Sequence, residues 1–339
     1  MKKLFQSSPS LSFILLNFLF TFTIWFIPVL IDVADDLFYA LVLLGACGPL
    51  LAGYIITVVN SGERIRINSK PLFIGVFLFA LLMQILSRVL ITHSFRSRPG
   101  NFPPLEELGY LSVAIILLVI FIYSLNISNA TNTKLKENYL KSVIPEKVNY
   151  KWYGFAFGFI IVLSLTSYFL GSAFGNIKIT DYIFNTELSL TYLIAAFFGI
   201  MFFLGGSEEF GWRGFFQKEL QKKYNLLVTS LIICFFWSLW HLPFYYNGFY
   251  STEGFMASLP RYLWTFPLTI TFTWLYNKSS FSLLAVILLH TLWNFKNFSI
   301  GNSYPALNIL LWLFAVFCVI ESKMWKKRRF DHIYENNDG

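Results

Sequence analysis

The sequence predicts an all-α protein: a polytopic transmembrane helical bundle with about ten membrane segments and both termini cytoplasmic. Three observations predict this fold. Hydrophobic residues make up 56% of the 339 residues and charged residues only 13%, whereas a soluble domain has about 25% charged residues. Apolar runs recur at close to the bilayer-spanning length of about 20 residues. The basic residues also gather on alternate connections between these runs.

The ten apolar runs lie at 11–32, 37–59, 71–92, 109–128, 152–174, 187–207, 225–246, 260–277, 281–297 and 305–322. The first run could instead be a secretory signal. It is as long as a full span, lacks a small-x-small cleavage site and precedes Asp32, Asp35 and Asp36, so we interpret it as a retained span.

The distribution of basic residues predicts the orientation of the spans. If Lys2 and Lys3 are cytoplasmic, the inward connections hold Arg64, Arg66, Lys70, Lys134, Lys136, Lys141, Lys147, Lys151, Lys218, Lys222, Lys223 and Lys278, and the tail "KMWKKRRF" also lies inside. The outward connections hold fewer, among them Arg96, Arg98, Lys178, Arg261 and Lys296. This bias follows the positive-inside rule. The net charge of +8 then indicates attraction to anionic membrane lipid, and we expect no nucleic-acid partner.

The polar stretches suggest four regions. We predict a four-span N-terminal membrane region at 1–130, a cytoplasmic linker at 131–151, a C-terminal membrane core at 152–322 and a basic cytoplasmic tail at 323–339. Cys47, Cys234 and Cys318 lie in apolar runs without paired spacing. They predict buried packing residues and neither a disulfide framework nor a thiolate metal site.

Ionisable residues within membrane segments are costly and are therefore functional candidates. The stretch "FFLGGSEEFGWRGFFQKEL" sets Glu208, Glu209 and Arg213 between phenylalanine runs, and His241 and His290 also lie in apolar runs. Glu209 and Arg213 are four residues apart and so share a helix face, as do His290 and Asn294. Simpler interpretations remain open. Glu209 and Arg213 could be an ordinary ion pair on one helix, and the histidines could serve packing between helices.

These residues resemble a known family. "EEFGWR" matches an EExxxR motif, "WSLWH" approximates FxxxH with Trp237 in the place of phenylalanine, and "HTLWN" matches HxxxN, in that order. The three motifs are typical of the CPBP family of intramembrane endopeptidases, which includes CAAX prenyl proteases and bacteriocin-processing enzymes. The resemblance covers approximately residues 187–300. Replacing one large aromatic residue by another at Trp237 suggests a change in packing more than in chemistry.

The resemblance implies roles for six residues. Glu208 would be the general base that activates water, with His241 holding that water and passing on the proton. Glu209 and Arg213 would form a supporting ion pair. His290 and Asn294 would donate hydrogen bonds to the oxyanion. Hydrolysis without a covalent intermediate needs such a base, such donors and an acid for the leaving amine.

We expect no metal or other cofactor, and zinc is the alternative. Glu208, His241 and His290 would be its ligands, since carboxylates and imidazoles bind zinc in hydrolases. The HExxH helix of zinc proteases is absent from the sequence. No GxSxG elbow or Cys/His pairing indicates a covalent route.

The candidate residues must also lie at one depth in the membrane. If the sixth run ended just before Glu208, His241 would lie roughly 24 Å deeper, and the two side chains could not meet. We therefore predict that the helix continues past Arg213 and leaves the membrane near Lys218, and that the next helix starts near Val228. The glutamates would line a polar cavity open to the cytoplasm.

The expected partners are membrane lipid and a membrane-associated or prenylated protein or peptide substrate. The expected location is a bacterial plasma membrane, as a multi-pass protein. Two other classes of function stay open. A transporter also buries charge in the membrane, and a non-catalytic immunity or scaffold protein would retain the motifs without using them. A peptide-cleavage assay separates all three.

Overall fold

The computed structural model describes residues 2–89, 105–129, 148–173, 190–250, 253–299 and 305–327. Every regular element in these ranges is a helix, which confirms the all-α fold. The described residues do not include most of the predicted linker or the tail beyond residue 327. His93 and His332 also lie outside them.

Each of the ten predicted apolar runs contains at least one helix. The principal helices are Pro9–Trp25, Asp35–Ala46, Gly48–Ser61, Lys70–Val89, Tyr110–Asn129, Lys151–Ala173, Leu190–Phe203, Leu226–Trp240, Arg261–Lys278, Leu283–Ser299 and Pro305–Glu321. Between residues 206 and 221 the chain is helical in three consecutive pieces, Gly206–Gly211, Trp212–Gln217 and Lys218–Gln221. Short helices cover Lys2–Ser7, Ile27–Leu30, Leu105–Glu107, Leu242–Tyr245 and Phe255–Ser258.

The surface of the bundle is that of an integral membrane protein. Three stretches, Asp35–Ser61, Tyr110–Asn129 and Lys151–Ala173, are helical, long and apolar enough to cross a bilayer, and five shorter helices are also apolar. Large apolar side chains such as Leu19 and Phe169 point outward and are mostly exposed. Such a surface is a liability in water but suits lipid, and the helices satisfy their own backbone hydrogen bonds, as a bilayer requires.

One end of the bundle collects basic residues from distant parts of the chain. Asn225 donates its amide N–H to the backbone carbonyl of Trp325 over 3.0 Å, so the turn at 222–225 meets the start of the tail. Lys278 bonds Glu321 over 2.5 Å at the same end. Two of the connections predicted to face the cytoplasm, at 222–225 and at Lys278, therefore lie beside residues 321–325.

The first long helix, Pro9–Trp25, packs directly on the region that carries the motifs. The ring of Phe13 stacks on Phe216 with centroids 5.0 Å apart and meets the edge of Trp212 at 5.3 Å. Near the other end of the helix, Trp240 donates its indole N–H to the Thr21 hydroxyl over 2.9 Å. The N-terminal spans thus share one aromatic core with the C-terminal ones. The three cysteines are free and buried, as predicted.

Candidate active site

Residues 206–221, called here the acidic helix, carry Glu208 and Glu209 in their first turn. A sharp break separates this helix from the preceding one. A Cβ atom at Gly206 would lie 1.8 Å from the carbonyl oxygen of Met201, so only glycine fits this break. The N-terminal end of a helix carries partial positive charge and stabilises acidic side chains. The break therefore gives two carboxylates a favourable position inside an apolar bundle.

The middle of the acidic helix, Trp212–Gln217, is π-helical. It follows Gly211, where the helix Gly48–Ser61 comes into direct backbone contact: a Cβ atom at Gly211 would lie 2.2 Å from the carbonyl oxygen of Pro49. Wide π-helical turns are frequent at functional sites. The helix then continues to Gln221, which confirms the prediction that it extends past Arg213.

The acidic helix and the next helix bring Glu208 and His241 to a similar depth. Glu208 precedes Gln221 by 13 residues, which corresponds to roughly 20 Å of helix. His241 follows Leu226 by 15 residues, or roughly 22 Å. The second helix begins at Leu226, slightly before the predicted start, because the Asn225 side chain accepts the backbone N–H of Val228 over 2.9 Å and caps it.

Glu209, Arg213 and His290 form a buried charged group. Glu209 Oε1 accepts from Arg213 Nη1 over 2.9 Å and from His290 Nδ1 over 2.7 Å. Glu209 and Arg213 are both 0% exposed. The predicted ion pair is therefore confirmed, and it is fully desolvated. The contact between Glu209 and His290, which are 81 residues apart in sequence, joins the EExxxR motif to the HxxxN motif.

Aromatic rings complete the surroundings of Arg213. Its guanidinium carbon lies 4.7 Å from the ring centre of Trp237 and 4.8 Å from that of Phe272. Desolvated cation–π contacts of this kind stabilise a cation by up to about 2 kcal/mol each. The edge of Trp237 also meets the His290 ring, with centroids 5.3 Å apart. Arg213 is thus held by one carboxylate and two aromatic faces.

Glu208 lies beside this group and is bonded differently. Its Oε2 accepts the indole N–H of Trp237 over 2.8 Å. Its other oxygen, Oε1, makes no hydrogen bond to any residue that the structure describes. Glu208 is 5% exposed, whereas Glu209 is completely covered. The two neighbouring carboxylates therefore differ: Glu209 forms an ion pair through Oε1 and is completely buried, whereas Glu208 lies outside the ion pair and is slightly exposed.

His241 reaches the same region from the end of the helix Leu226–Trp240. That helix ends at Trp240, and Pro243 follows within the short turn Leu242–Tyr245. His241 Nδ1 lies 2.7 Å from the backbone carbonyl oxygen of Trp237. A carbonyl oxygen only accepts, so Nδ1 carries the hydrogen, and Nε2 of the neutral ring has a free lone pair. His241 is 7% exposed, and Nε2 is the atom available to water.

Asn294 and His290 share one face of the helix Leu283–Ser299, as their spacing predicted. A Cβ atom at Gly205 would lie 3.4 Å from the His290 ring and 3.6 Å from the Asn294 amide nitrogen. That amide nitrogen donates to the backbone carbonyl of Leu204 over 2.7 Å. One N–H of Asn294 therefore fastens the break before the acidic helix, and the second N–H remains for another acceptor.

The structure brings the six predicted residues into one region, and it adds Trp237 and Phe272, which were not predicted as site residues. Trp237 bonds Glu208 through its side chain and His241 through its backbone. Phe272 covers Arg213 and lies 5.4 Å from the His290 ring. The mismatch with phenylalanine was the available signal for Trp237, and it was assigned to packing. No signal in the sequence indicated Phe272.

The fit to zinc can be judged from the donor atoms. The described residues contain no group of three or more His, Cys, Asp or Glu side chains arranged to hold a metal ion. His241 and His290 each use Nδ1 in another hydrogen bond, which is typical of zinc-bound histidines. The predicted alternative set of Glu208, His241 and His290 is nevertheless not such a group in this arrangement.

Two comparisons with known proteins agree with the motifs. Residues 190–296 match the family model described as type II CAAX prenyl endopeptidase Rce1-like. The chain is also similar to a CAAX prenyl protease 2 of Methanococcus maripaludis, with 27% identity over 235 residues, or 68% of this chain and 83% of that protein.

The matched segment contains all six candidate residues, and the acidic helix, His241 and the HxxxN helix meet within it. The fold, the motif order and the two similarities point to the same group of membrane proteins. The chain is therefore similar to the type II CAAX prenyl endopeptidases of the CPBP family, over the segment that carries the three motifs.

Proposed function

We propose that this protein hydrolyses a peptide bond of a membrane-associated protein or peptide, using a water molecule activated by Glu208. The observation that carries the proposal is the difference between the two adjacent glutamates. Glu209 bonds Arg213 and His290 through Oε1 and is completely buried, whereas Glu208 is 5% exposed, with Oε2 bonded to Trp237 and Oε1 without a hydrogen-bond partner among the described residues. A general base needs such a free oxygen within reach of a water.

In the proposed reaction, Glu208 Oε1 removes a proton from water while the water oxygen bonds to the carbonyl carbon of the substrate. The carbonyl oxygen becomes an oxyanion. The peptide C–N bond then breaks, and the proton passes to the leaving amine. Because His241 Nδ1 is committed to the Trp237 carbonyl, its Nε2 is the atom that would hold the water and relay the proton.

His290 and Asn294 are proposed as the oxyanion donors. His290 Nδ1 donates to Glu209, so donation to an oxyanion requires a second proton on Nε2. Removal of one oxyanion donor typically lowers kcat by about 10²–10³-fold.

We propose that the reaction does not use a metal. The Glu208 oxygen without a partner supports the glutamate mechanism, and among the described residues no group of three or more His, Cys, Asp or Glu side chains is arranged to hold a metal ion. Zinc remains the competing explanation, because the engaged Nδ1 atoms of His241 and His290 are also typical of zinc-bound histidines. Elemental analysis combined with activity, described below, separates the two.

The substrate class is proposed from the relatives. A protease named for CAAX prenyl processing is similar over most of its length, which supports a lipid-modified or otherwise membrane-associated peptide as substrate. The exposed apolar surface allows such a substrate to approach through the lipid. We further propose a multi-pass location in a bacterial plasma membrane, with the basic end in the cytoplasm. In this setting, processing or immunity linked to a bacteriocin-like peptide is the alternative to CAAX-type processing.

The proposal is tested by comparing membrane peptides from cells with the wild-type protein and with the Glu208→Ala variant. We expect at least one peptide or protein terminus that appears only with the wild type. A transporter would change the amount of a solute and create no new terminus. A scaffold would behave identically with and without the Glu208→Ala substitution, and either result would contradict the proposal.

A further inference from the structure

We propose that Trp237 is a positioning residue for the reaction, which acts by holding the Glu208 carboxylate through its indole N–H. This inference rests on the proposed role of Glu208 as general base. The family motif usually has phenylalanine here, and phenylalanine has no hydrogen-bond donor. The side chain of Trp237 therefore supplies a contact to Glu208 that an FxxxH motif cannot supply.

The contact is short and enclosed. Trp237 Nε1 lies 2.8 Å from Glu208 Oε2, and both residues are buried. The indole N–H is a donor only, and the acceptor is a carboxylate, so this is a charge-assisted hydrogen bond, which is about twice as strong as a neutral one. With Oε2 accepting the indole N–H, Oε1 is the oxygen without a hydrogen-bond partner among the described residues.

The Trp237 ring is itself held on several sides. The Arg213 guanidinium lies 4.7 Å from its centre, and the rings of His290 and Phe272 have their centroids at 5.3 and 5.9 Å. The indole therefore has little freedom to rotate away from Glu208. Arg213 and His290 therefore constrain Glu208 through the Trp237 indole, although neither of them bonds Glu208 directly.

The same residue also sets the hydrogen position on His241. The backbone carbonyl of Trp237 accepts from His241 Nδ1 over 2.7 Å, and His241 follows one helical turn later. The side chain of Trp237 thus orients the proposed base, and its backbone orients the proposed relay. A change of side chain leaves the backbone contact in place, so the two effects are separable.

The test uses Trp237→Phe, which removes the N–H, together with benzothienylalanine at position 237, which replaces the N–H by sulfur at nearly the same volume. Trp274→Phe is the matched control. Trp274 also donates its indole N–H to a carboxylate, that of Glu321, over 3.0 Å, but at the basic end of the bundle. Steady-state cleavage of a substrate peptide, identified by the membrane-peptide comparison, is measured for each purified protein.

We expect both changes at position 237 to lower kcat by about 10- to 100-fold, the range for losing a hydrogen bond to a charged group. The KM should stay within about twofold, because the contact does not involve the substrate. Trp274→Phe should keep the wild-type kcat. In the Glu208→Asp variant the shorter side chain lies farther from the indole. Adding Trp237→Phe to this variant should therefore lower kcat by less than about twofold further.

Several outcomes would overturn the inference while leaving the proposed function intact. They are a wild-type kcat for the benzothienylalanine protein, a rise in KM with unchanged kcat, or an equal loss in the wild-type and Glu208→Asp backgrounds. If Trp237→Phe is poorly folded, the benzothienylalanine protein decides the question, because its ring fills the same space. A wild-type protein that cleaves no peptide would instead contradict the proposed function, and the inference with it.

Discussion

Removing the Arg213 side chain is the sharpest test of the buried charged group. Arg213→Ala leaves Glu209 fully buried with His290 as its only hydrogen-bond partner among the described side chains. Stranding one member of a buried ion pair costs about 3–5 kcal/mol. The two cation–π contacts with Trp237 and Phe272 are lost as well, each contributing about 0.5–2 kcal/mol. We therefore expect a destabilisation of at least about 3 kcal/mol.

The assay is thermal unfolding of the purified protein in detergent. For a chain of this length, about 1 kcal/mol corresponds to roughly 1.5 °C, so Tm should fall by about 4 °C or more. Lys222→Ala is the control, because Lys222 bonds Glu219 over 2.6 Å but is 60% exposed, and such a surface pair contributes less than about 1 kcal/mol. Equal and small Tm changes for Arg213→Ala and Lys222→Ala would refute the claim that the Glu209 pair is desolvated.

Three further predictions follow from other parts of the structure. Gly211→Val should prevent proper folding, because its side chain would enter the Pro49 backbone, and near-normal expression and Tm would contradict the close helix approach. Thr21→Val removes the acceptor of the Trp240 indole N–H and should destabilise the protein by about 1–3 kcal/mol; an unchanged Tm would show that this link between the N-terminal and C-terminal spans is unimportant. Exhaustive chelation should lower metal content well below one ion per chain and leave cleavage unchanged, whereas loss of cleavage that returns when zinc is added would establish metal activation of water.

The helices were predictable because their signal is local. Runs of about 20 apolar residues define spans without reference to the rest of the chain, and each predicted run contains helix. The break before Gly206 and the π-helical turn after Gly211 were not predictable. Both depend on backbone contacts with Met201 and Pro49, which arise only when the helices pack.

The same distinction applies to the candidate site. The Glu209–Arg213 pair follows from a spacing of four residues on one helix, and the structure has it at 2.9 Å. The contacts of Glu209 with His290 and of Glu208 with Trp237 join different helices, so no spacing rule reveals them. The motif resemblance indicated all six candidate residues. It did not indicate that Trp237 would bond the proposed base.

The central claim is that Glu208 activates the hydrolytic water, and Glu208→Gln tests it most directly. The amide keeps the size of the side chain and an acceptor for the Trp237 N–H, but it is not a base. We predict that cleavage of a substrate peptide by the purified protein in liposomes falls by about 10²–10⁴-fold, as for loss of a general base, while Tm stays close to that of the wild type. Cleavage at the wild-type rate by a folded Glu208→Gln protein would contradict the account.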